Sequence, residues 1–363
     1  MKIFALYLPQ YHEIPENNEW WGKGFTEWVN VKNAKPLYKG HVQPKHPLND
    51  NYYNLLDKDT VVWQTNLMKK YKISGMIYYH YYFDGKLLLE KPAENLLKWK
   101  DIDQPFFFCW ANRTWFRSWE GSREVLIEQT YGEKKAWKKH FDYLLPFFKD
   151  DRYEKIDNKP VFMLYDSRIK EKKEMFSAFD TWCKEVGFDG LYLIEECYSI
   201  QDAMAYIEQE EHNGISTSYF LAEPLVGKEL LIKRYGFISD YWNRFLNKMN
   251  QKGIIHHLFQ YSGDNIMKLL IKKHPHNKKI IPGIFFEWDN TPRHGKRGYI
   301  INPPSKNTFF NYMDSIKNSN YAVINAWNEW CEGMMLEPSK EEGYKYLKWI
   351  EEWRNIQNKI QRK

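Results

Sequence analysis

The sequence predicts an α/β fold: a single (β/α)8 barrel of the TIM type, with long βα loops, that spans residues 1–363 as one domain. Short apolar runs alternate along the chain with longer amphipathic patterns, and this alternation is typical of parallel strands covered by helices. The apolar runs are almost unbroken, as expected of strands that are buried on both faces. No internal repeat, low-complexity linker or Gly/Ser hinge divides the 363 residues, which favours one barrel over two domains.

Seven apolar runs are predicted to be barrel strands. Their bounds are 3–8, 75–82, 106–111, 161–165, 191–195, 280–286 and 321–326. The eighth strand is expected between Cys197 and Lys279, at either 215–220 or a segment near 254–259. Amphipathic helices separate the strands, and the clearest has apolar residues at i, i+4, i+7, i+8 and i+11 from Trp137. A similar stripe predicts the last helix, and it consists of Tyr346, Leu347, Ile350 and Trp353.

Composition and charge narrow the classes of partner. The net charge of +6 is scattered rather than gathered in one stripe, which argues against nucleic acid. No run approaches the roughly 20 apolar residues of a transmembrane helix, and the apolar start of the chain is too short for a secretion signal. Four cysteines without a CxxC pair predict free thiols and a cytoplasmic protein. Aromatic residues make up 18% of the chain, so many are expected to line a cleft.

The most informative segment is 322–338, in which an apolar run ends in two carboxylates, Glu329 and Glu332, next to Trp327 and Trp330. Carboxyl pairs cleave glycosidic bonds, because one delivers a proton to the leaving oxygen while the other takes a proton or attacks. Indole faces bind the apolar faces of sugar rings. The segment therefore predicts a carbohydrate-active enzyme in which Glu329 and Glu332 are catalytic. The opposing interpretation is a strand end whose acids are merely solvated.

In a barrel the catalytic face is built from the βα loops, so functional residues are expected where strands end. Polar and aromatic side chains follow nearly every predicted strand. Those expected to bind substrate are His12, Trp28, Tyr79, His80, Trp110, Asn112, Glu287, Trp288, Asp289, Trp327, Asn328 and Trp330. Taken singly, each is as well explained by packing or by a local backbone contact. Six side chains are predicted to line one pocket: Glu329, Glu332, Trp327, His80, Trp110 and Glu287.

No metal or other cofactor is predicted. Histidine pairs within 256–257 and 274–276 lie in lysine-rich or apolar helical surroundings without a third ligand at a useful spacing. Asp101-Ile-Asp103 matches the Asp-x-Asp sequence, a pattern that binds metal in nucleotide-sugar transferases. It precedes the third strand and would lie at the wrong end of a barrel. These observations favour hydrolase-type chemistry.

Five segments, 1–28, 78–95, 110–112, 288–292 and 328–332, resemble in order those of the WbsX-like family of bacterial cell-surface polysaccharide proteins. That family is similar to glycoside hydrolase family 99, the endo-acting α-mannosidases and mannanases. The resemblance spans nearly the whole chain. It implies a (β/α)8 barrel without a metal and retaining chemistry by neighbouring-group participation.

The resemblance also implies roles for the two acids. In the hydrolase family, the first Glu of a Glu-Trp-x-Glu element takes the proton of the substrate 2-hydroxyl, which then closes onto the anomeric carbon. The second Glu acts as general acid and then as base. On this chain the resemblance makes Glu329 the base and Glu332 the acid/base. Arg113 stands where relatives often carry an acidic or small residue, and it is expected to alter which sugar or anionic substituent is accepted.

Three alternatives stay open. The first is a retaining hydrolase in which Glu287 is the nucleophile and Glu195 or Glu196 its partner. The second is a glycosyltransferase of O-antigen or capsule biosynthesis, which is how WbsX-like proteins are usually labelled. The third is a carbohydrate-binding protein without turnover, which would need the tryptophans but not the acids. The expected partner is an oligo- or polysaccharide, with peripheral contact to a membrane-linked glycan.

Overall fold

The apolar runs of the sequence form parallel strands that pair in a cycle. The computed structural model describes residues 1–117, 124–210, 214–234, 241–242, 245–246, 248–250, 252, 254–255 and 257–361. The first six barrel strands are β1 (Lys2–Tyr7), β2 (Gly75–Phe83), β3 (Phe106–Trp110), β4 (Lys159–Leu164), β5 (Tyr192–Cys197) and β6 (Ser216–Leu221). Each of them pairs in parallel with the next. The nearly complete burial of these strands explains their unbroken apolar sequences.

Two short strands, Ile280–Ile281 and Gly283–Ile284, together form β7, and they lie on either side of Pro282. Proline has no backbone N–H to donate to a ladder, so pairing is interrupted at that residue. The first piece pairs with β6, and the second pairs with β8 (Tyr321–Ile324). β8 also pairs with β1. The predicted eight-position barrel is confirmed, although the single strand predicted over 280–286 is divided.

The two candidates for the eighth strand have different outcomes. The segment 215–220 corresponds to β6, which lies in the barrel between β5 and β7. The candidate near 254–259 is wrong, because Phe259–Ser262 pairs with Tyr299–Asn302 in a separate three-stranded sheet that also contains Trp288–Asp289. His256, within that candidate, lies outside the described residues.

Helices cover the outside of the barrel and parts of its loops. They are Pro15–Trp21, Glu27–Asn33, Lys58–Lys70, Lys91–Lys98, Lys134–Phe148, Lys172–Glu185, Ile200–Glu210, Leu225–Arg234, Gly263–Lys273, Thr291–His294, Lys306–Ile316 and Lys345–Gln361. The helix predicted from Trp137 is Lys134–Phe148, and Phe141, Leu144 and Phe148 of its stripe are buried. The stripe predicted for the last helix is also buried.

Shorter elements lie in the loops. They are the 3-10 turns Leu48–Asp50, Gly295–Arg297 and Trp330–Glu332, and the strands Lys86–Leu88, Trp115–Phe116, Val125–Ile127, Lys155–Ile156, Asn328–Glu329 and Met334–Met335. All four cysteines are buried free thiols. In the described part of the chain, no helix is both long and apolar enough to cross a membrane.

Candidate active site

A cavity of about 320 Å³ opens where the barrel strands end. Parallel strands place all their carboxyl ends at the same rim, which is why loops far apart in sequence meet there. The residues that line the cavity include Leu8, Gln10, Tyr79, Tyr81, Ala111, Arg113, Tyr165, Glu196, Trp288, Arg293, Glu329 and Glu332. Both predicted catalytic acids therefore face one cavity, together with Tyr79 and Trp288 of the predicted binding residues.

A tight turn after β8 holds the two acids, and we call residues 328–335 the carboxylate turn. Asn328–Glu329 pairs in antiparallel fashion with Met334–Met335, and the 3-10 turn Trp330–Glu332 connects them. Gly333 completes the turn with φ at 62°, a left-handed conformation that favours glycine. A Cβ at this position would also lie 3.1 Å from the backbone nitrogen of Asp289. Glycine therefore lets the turn close against the loop that follows β7.

Asn328 anchors the start of the carboxylate turn to Leu8, the residue that follows β1. Its side-chain amide donates to the carbonyl oxygen of Leu8 at 3.0 Å, and its side-chain oxygen accepts from the Leu8 backbone N–H at 2.7 Å. The hydroxyl of Tyr11 donates to the Asn328 carbonyl oxygen at 2.5 Å. These contacts fix the backbone immediately before Glu329. Asn328 therefore positions Glu329 and does not itself line the cavity.

Arg293, which the sequence did not single out, lies between the two acids. Its Nη1 is 2.5 Å from Glu332 Oε1, and its Nη2 is 3.3 Å from Glu329 Oε2. The same Nη2 is 3.1 Å from Oε1 of Glu27, a fully buried carboxylate. The short helix Thr291–His294 carries this arginine into the site from the loop after β7. One guanidinium thus orients three carboxylates, two from the carboxylate turn after β8 and one from the segment after β1.

Three carboxylates facing one cation make full ionisation of the site costly. Burial raises the pKa of Glu329, the charges of Glu332 and Glu27 add to that rise, and the charge of Arg293 opposes it. Glu329 therefore binds a proton more readily than an exposed glutamate does. The side chain of Glu332 is 22% exposed, against 9% for Glu329. Glu332 is thus the acid of this pair with more contact with water.

The indole rings of Trp327 and Trp330 do not line the cavity, which corrects the expectation that they wall the acids. Both are buried, and their Nε1 groups donate to Glu337, at 2.9 Å to Oε1 and 2.8 Å to Oε2 respectively. Gln64 and Tyr53 donate to the same carboxylate at 2.7 and 2.8 Å. Burial raises the pKa of Glu337 to about 7, although these four hydrogen bonds act in the opposite direction. The indoles thus fix the carboxylate turn from behind.

Alternation along β2 explains another correction. Tyr79 and Tyr81 line the cavity, so the intervening His80 faces outward. Its Nε2 lies 2.8 Å from Nε2 of His140, in the helix Lys134–Phe148. Trp110, the register partner of His80 on β3, packs edge-on against the same His140 ring. The prediction that His80 and Trp110 line the pocket is therefore wrong, since both lie between barrel and helix.

Glu287 is also outside the cavity lining, contrary to expectation. It forms an ion pair with Lys45, and both side chains are largely buried. Alternation again separates neighbours on β5: Glu195 binds Lys172 with both oxygens, at 2.9 and 2.8 Å, whereas Glu196 lines the cavity. Burial raises the pKa of Glu196 to about 8. Of these three acids, Glu196 alone lines the cavity, so this alternative would place the nucleophile Glu287 outside the cavity lining.

Four other predicted binding residues are buried outside the cavity lining. Asp289 Oδ2 accepts from Nε2 of Gln43 at 2.7 Å and lies 2.8 Å from Nε2 of His41, so it braces the loop behind Gly333. Trp28 donates to the Tyr53 carbonyl oxygen and packs against Trp330 at 5.6 Å. Asn112 bridges to the backbone of Asp166. Burial lowers the pKa of His12 to about 4. The expectation that these four contact substrate directly has no support from their positions.

The residues that the sequence did not reveal are Arg293, Glu27, Tyr81, Tyr165 and Glu337. Arg293 directly follows the segment 288–292, and Glu27 lies within the segment 1–28 next to Trp28, so the position in or beside a motif was the available signal. Among the described residues, no group of three or more His, Cys, Asp or Glu side chains could hold a metal ion. The cavity therefore offers carboxylates, a guanidinium and tyrosines for binding and proton transfer.

Comparison with known proteins places this chain in a family. The family described as Glycosyltransferase WbsX matches residues 3–350. Two strains of Xanthomonas campestris pv. campestris each carry an uncharacterized protein WxcX that is 29% identical over 364 aligned residues, which cover 95% of this chain. The alignment covers 48% of WxcX, so the chain spans about half the length of the curated relatives it matches.

Solved structures share the fold at low sequence identity. The endo-α-mannosidase of glycoside hydrolase family 99 from Bacteroides thetaiotaomicron, in complex with bis-tris-propane, aligns with a TM-score of 0.57 and 13% identity. The alignment covers 99% of this chain and 98% of the mannosidase. A glycoside hydrolase-like protein aligns with a TM-score of 0.56 and 13% identity, over 97% and 93% of the two chains. At this identity the likeness establishes a common barrel fold.

Proposed function

The chain belongs to the Glycosyltransferase WbsX family, and from this membership, its glycosidase-like barrel and its carboxylate pair we propose that it cleaves or transfers glycosidic bonds of a bacterial cell-surface polysaccharide. One observation carries the proposal: Glu329 and Glu332 line the same cavity and contact the same guanidinium of Arg293. A fold alone hosts many activities, so the argument rests on this site.

The proposed reaction has two steps that use the pair in turn. Glu329 takes the proton of the sugar 2-hydroxyl, the 2-oxygen attacks the anomeric carbon, and the bond to the leaving oxygen breaks. Glu332 gives that oxygen its proton. Water then enters, returns a proton to Glu332 and attacks the anomeric carbon, and the 2-oxygen recovers its proton from Glu329. Retention of configuration follows, because the anomeric carbon is inverted twice.

The environments of the two acids bear on these roles. Burial gives Glu329 a raised affinity for protons, which strengthens it as a base toward a weakly acidic hydroxyl. Arg293 favours the ionised forms of both acids, and its shorter contact is to Glu332, so Glu332 holds the proton that it delivers against this attraction. The greater exposure of Glu332 lets it exchange protons with an entering water molecule, as the second step demands.

Transfer to a sugar is the second candidate, and the description of the family favours it. The same intermediate yields a new glycosidic bond when an acceptor hydroxyl enters in place of water. The two outcomes share Glu329 and Glu332 and differ only in what occupies the cavity mouth at the second step. No phosphate-binding loop or metal is needed for either.

Product analysis in ¹⁸O-labelled water tests the proposal. Purified protein is incubated with a panel of bacterial surface polysaccharides, and released saccharides are analysed by mass spectrometry. Hydrolysis introduces one labelled oxygen at each new reducing end, whereas transfer gives unlabelled, rearranged oligosaccharides. Glu332→Gln serves as the matched blank. Binding of oligosaccharides without any product from the wild-type protein would instead support a carbohydrate-binding protein.

A further inference from the structure

We propose that the cavity contains a subsite for a negatively charged sugar substituent, a carboxylate or a phosphate, and that Arg113 binds it. The inference rests on the proposed function, since the charged group is taken to belong to a saccharide in the same cavity. Arg113 follows β3, lines the cavity, and its side chain is 41% exposed. A cation is thus presented to whatever the cavity binds.

The charge of Arg113 is only weakly neutralised by protein groups. Its ion-pair partner is Asp166, which its Nε reaches at 3.2 Å. Arg168 holds that same carboxylate more closely, with Nε at 2.8 Å from Oδ1 and Nη2 at 2.6 Å from Oδ2. Two guanidinium groups therefore share one carboxylate, which leaves one net positive charge. Arg168 is 74% exposed and outside the cavity lining, so the cavity meets this charge at Arg113.

The guanidinium of Arg113 is also held in place with donors to spare. Its Nη2 donates to the Tyr198 hydroxyl at 3.2 Å, and its carbon Cζ lies 4.5 Å from the ring centre of Tyr165 and 5.4 Å from that of Tyr198. A guanidinium has five N–H groups, and in the described ranges only Asp166 and Tyr198 accept from them. A fixed fork with unused donors suits bidentate binding of a carboxylate or phosphate.

Neighbouring carboxylates do not cancel this site. Burial raises the pKa of Glu196 to about 8 even though the charge of Arg113 lowers it, so burial favours the neutral form of this acid. Tyr165 lines the cavity together with Arg113 and Glu332, and its hydroxyl is within electrostatic reach of both charged groups. A saccharide that extends from Glu332 past Tyr165 would bring a substituent of a neighbouring sugar to Arg113.

Matched pairs of oligosaccharides test the subsite independently of turnover. The array contains uronate-containing surface oligosaccharides, their carboxyl-reduced forms and phosphate-substituted counterparts. Binding to the array is measured for the wild-type protein and for the Glu332→Gln variant, which should bind without turnover. We expect an anionic member to bind roughly ten- to a hundred-fold tighter than its neutral pair, as for a hydrogen bond to a charged group. Whether uronate or phosphate gives the larger ratio identifies the substituent.

Variants assign the preference to Arg113. Arg113→Gln is expected to abolish it, Arg113→Lys to retain part of it, and Arg234→Gln to leave it unchanged. Arg234 is exposed at the end of the helix Leu225–Arg234 and outside the cavity lining, so it controls for the loss of one positive charge. Thermal unfolding checks that each variant folds.

Two results would overturn the subsite: no anionic preference in the wild-type protein, or the same preference in Arg113→Gln. Turnover without anionic preference would leave the proposed function standing and remove the subsite. Conversely, an Arg113-dependent preference without turnover of any substrate would support the subsite while the proposed catalytic function fails.

Discussion

Arg293 Nη1 lies 2.5 Å from Glu332 Oε1, and this contact ties the loop after β7 to the carboxylate turn after β8. The other terminal nitrogen of the guanidinium contacts Glu329 and Glu27. The orientation of both proposed catalytic acids therefore depends on a residue that takes no proton itself. A salt bridge of this kind is costly to break, because removal of the cation leaves buried carboxylates unpaired.

Arg293→Met is expected to destabilise the protein by about 3–5 kcal/mol at neutral pH and to abolish turnover. Without the cation, the carboxylates of Glu27, Glu329 and Glu332 repel one another when ionised. Protonation removes that repulsion, so the difference in unfolding free energy between variant and wild type should shrink as the pH falls. Urea unfolding of both proteins at several pH values measures this difference in unfolding free energy. A difference that does not change with pH would show that the arginine contributes only packing.

The pH dependence of kcat/KM should reveal the raised pKa of Glu329. A base must be ionised to act, so activity rises as the pH rises through its pKa. Burial raises that pKa, and the ascending limb should therefore lie well above the ordinary range of glutamate near 4.3. The limb belongs to the coupled pair rather than to one residue. An ascending limb centred between pH 4 and 5 would contradict a buried base at Glu329.

Trp330→Phe is expected to lower stability by roughly 1–3 kcal/mol while leaving KM close to that of the wild type. The substitution removes the Nε1 donor to Glu337 and leaves a buried carboxylate short of one hydrogen bond. Denaturant unfolding and steady-state kinetics measure the two effects separately. A large rise in KM with unchanged stability would restore the earlier expectation that this ring binds sugar.

The fold could be predicted from the sequence because its main signal is local. Apolar runs of strand length survive in β1 to β6 and β8 nearly where the pattern placed them. The break in β7 could have been predicted only by giving Pro282 more weight than the apolar residues on either side of it. The strand Phe259–Ser262 has a suitable composition but pairs outside the barrel, and composition does not specify the partner of a strand.

The candidate site was less predictable, for a physical reason visible in single pairs. Strands buried on both faces carry no polar alternation, so the sequence does not reveal that Tyr79 faces the cavity and His80 the helix layer. Glu195 and Glu196 present the same ambiguity on β5. The partners of Arg293 and Glu337 come from distant parts of the chain, and such contacts exist only after folding.

A substrate analogue distinguishes neighbouring-group participation from a nucleophile at Glu287. A 2-deoxy-2-fluoro glycoside lacks the attacking 2-oxygen, so it should bind without turnover and leave the protein unmodified. A nucleophilic Glu287 would instead accumulate a covalent glycosyl-enzyme with this analogue. Intact-protein and peptide mass spectrometry detect the added mass. An adduct on the peptide that contains Glu287 would move the chemistry away from the carboxylate turn.

The central claim is that Glu329 and Glu332 are the working pair, and turnover by single Gln variants tests it most directly. Glu329→Gln and Glu332→Gln preserve shape and remove ionisation, so each should lower kcat by roughly 10²- to 10⁴-fold on a confirmed substrate, with unchanged circular dichroism. Glu287→Gln, outside the cavity lining, is the matched control and should keep near-native kcat. Near-native kcat in either Glu329→Gln or Glu332→Gln, combined with a loss in Glu287→Gln, would contradict the account.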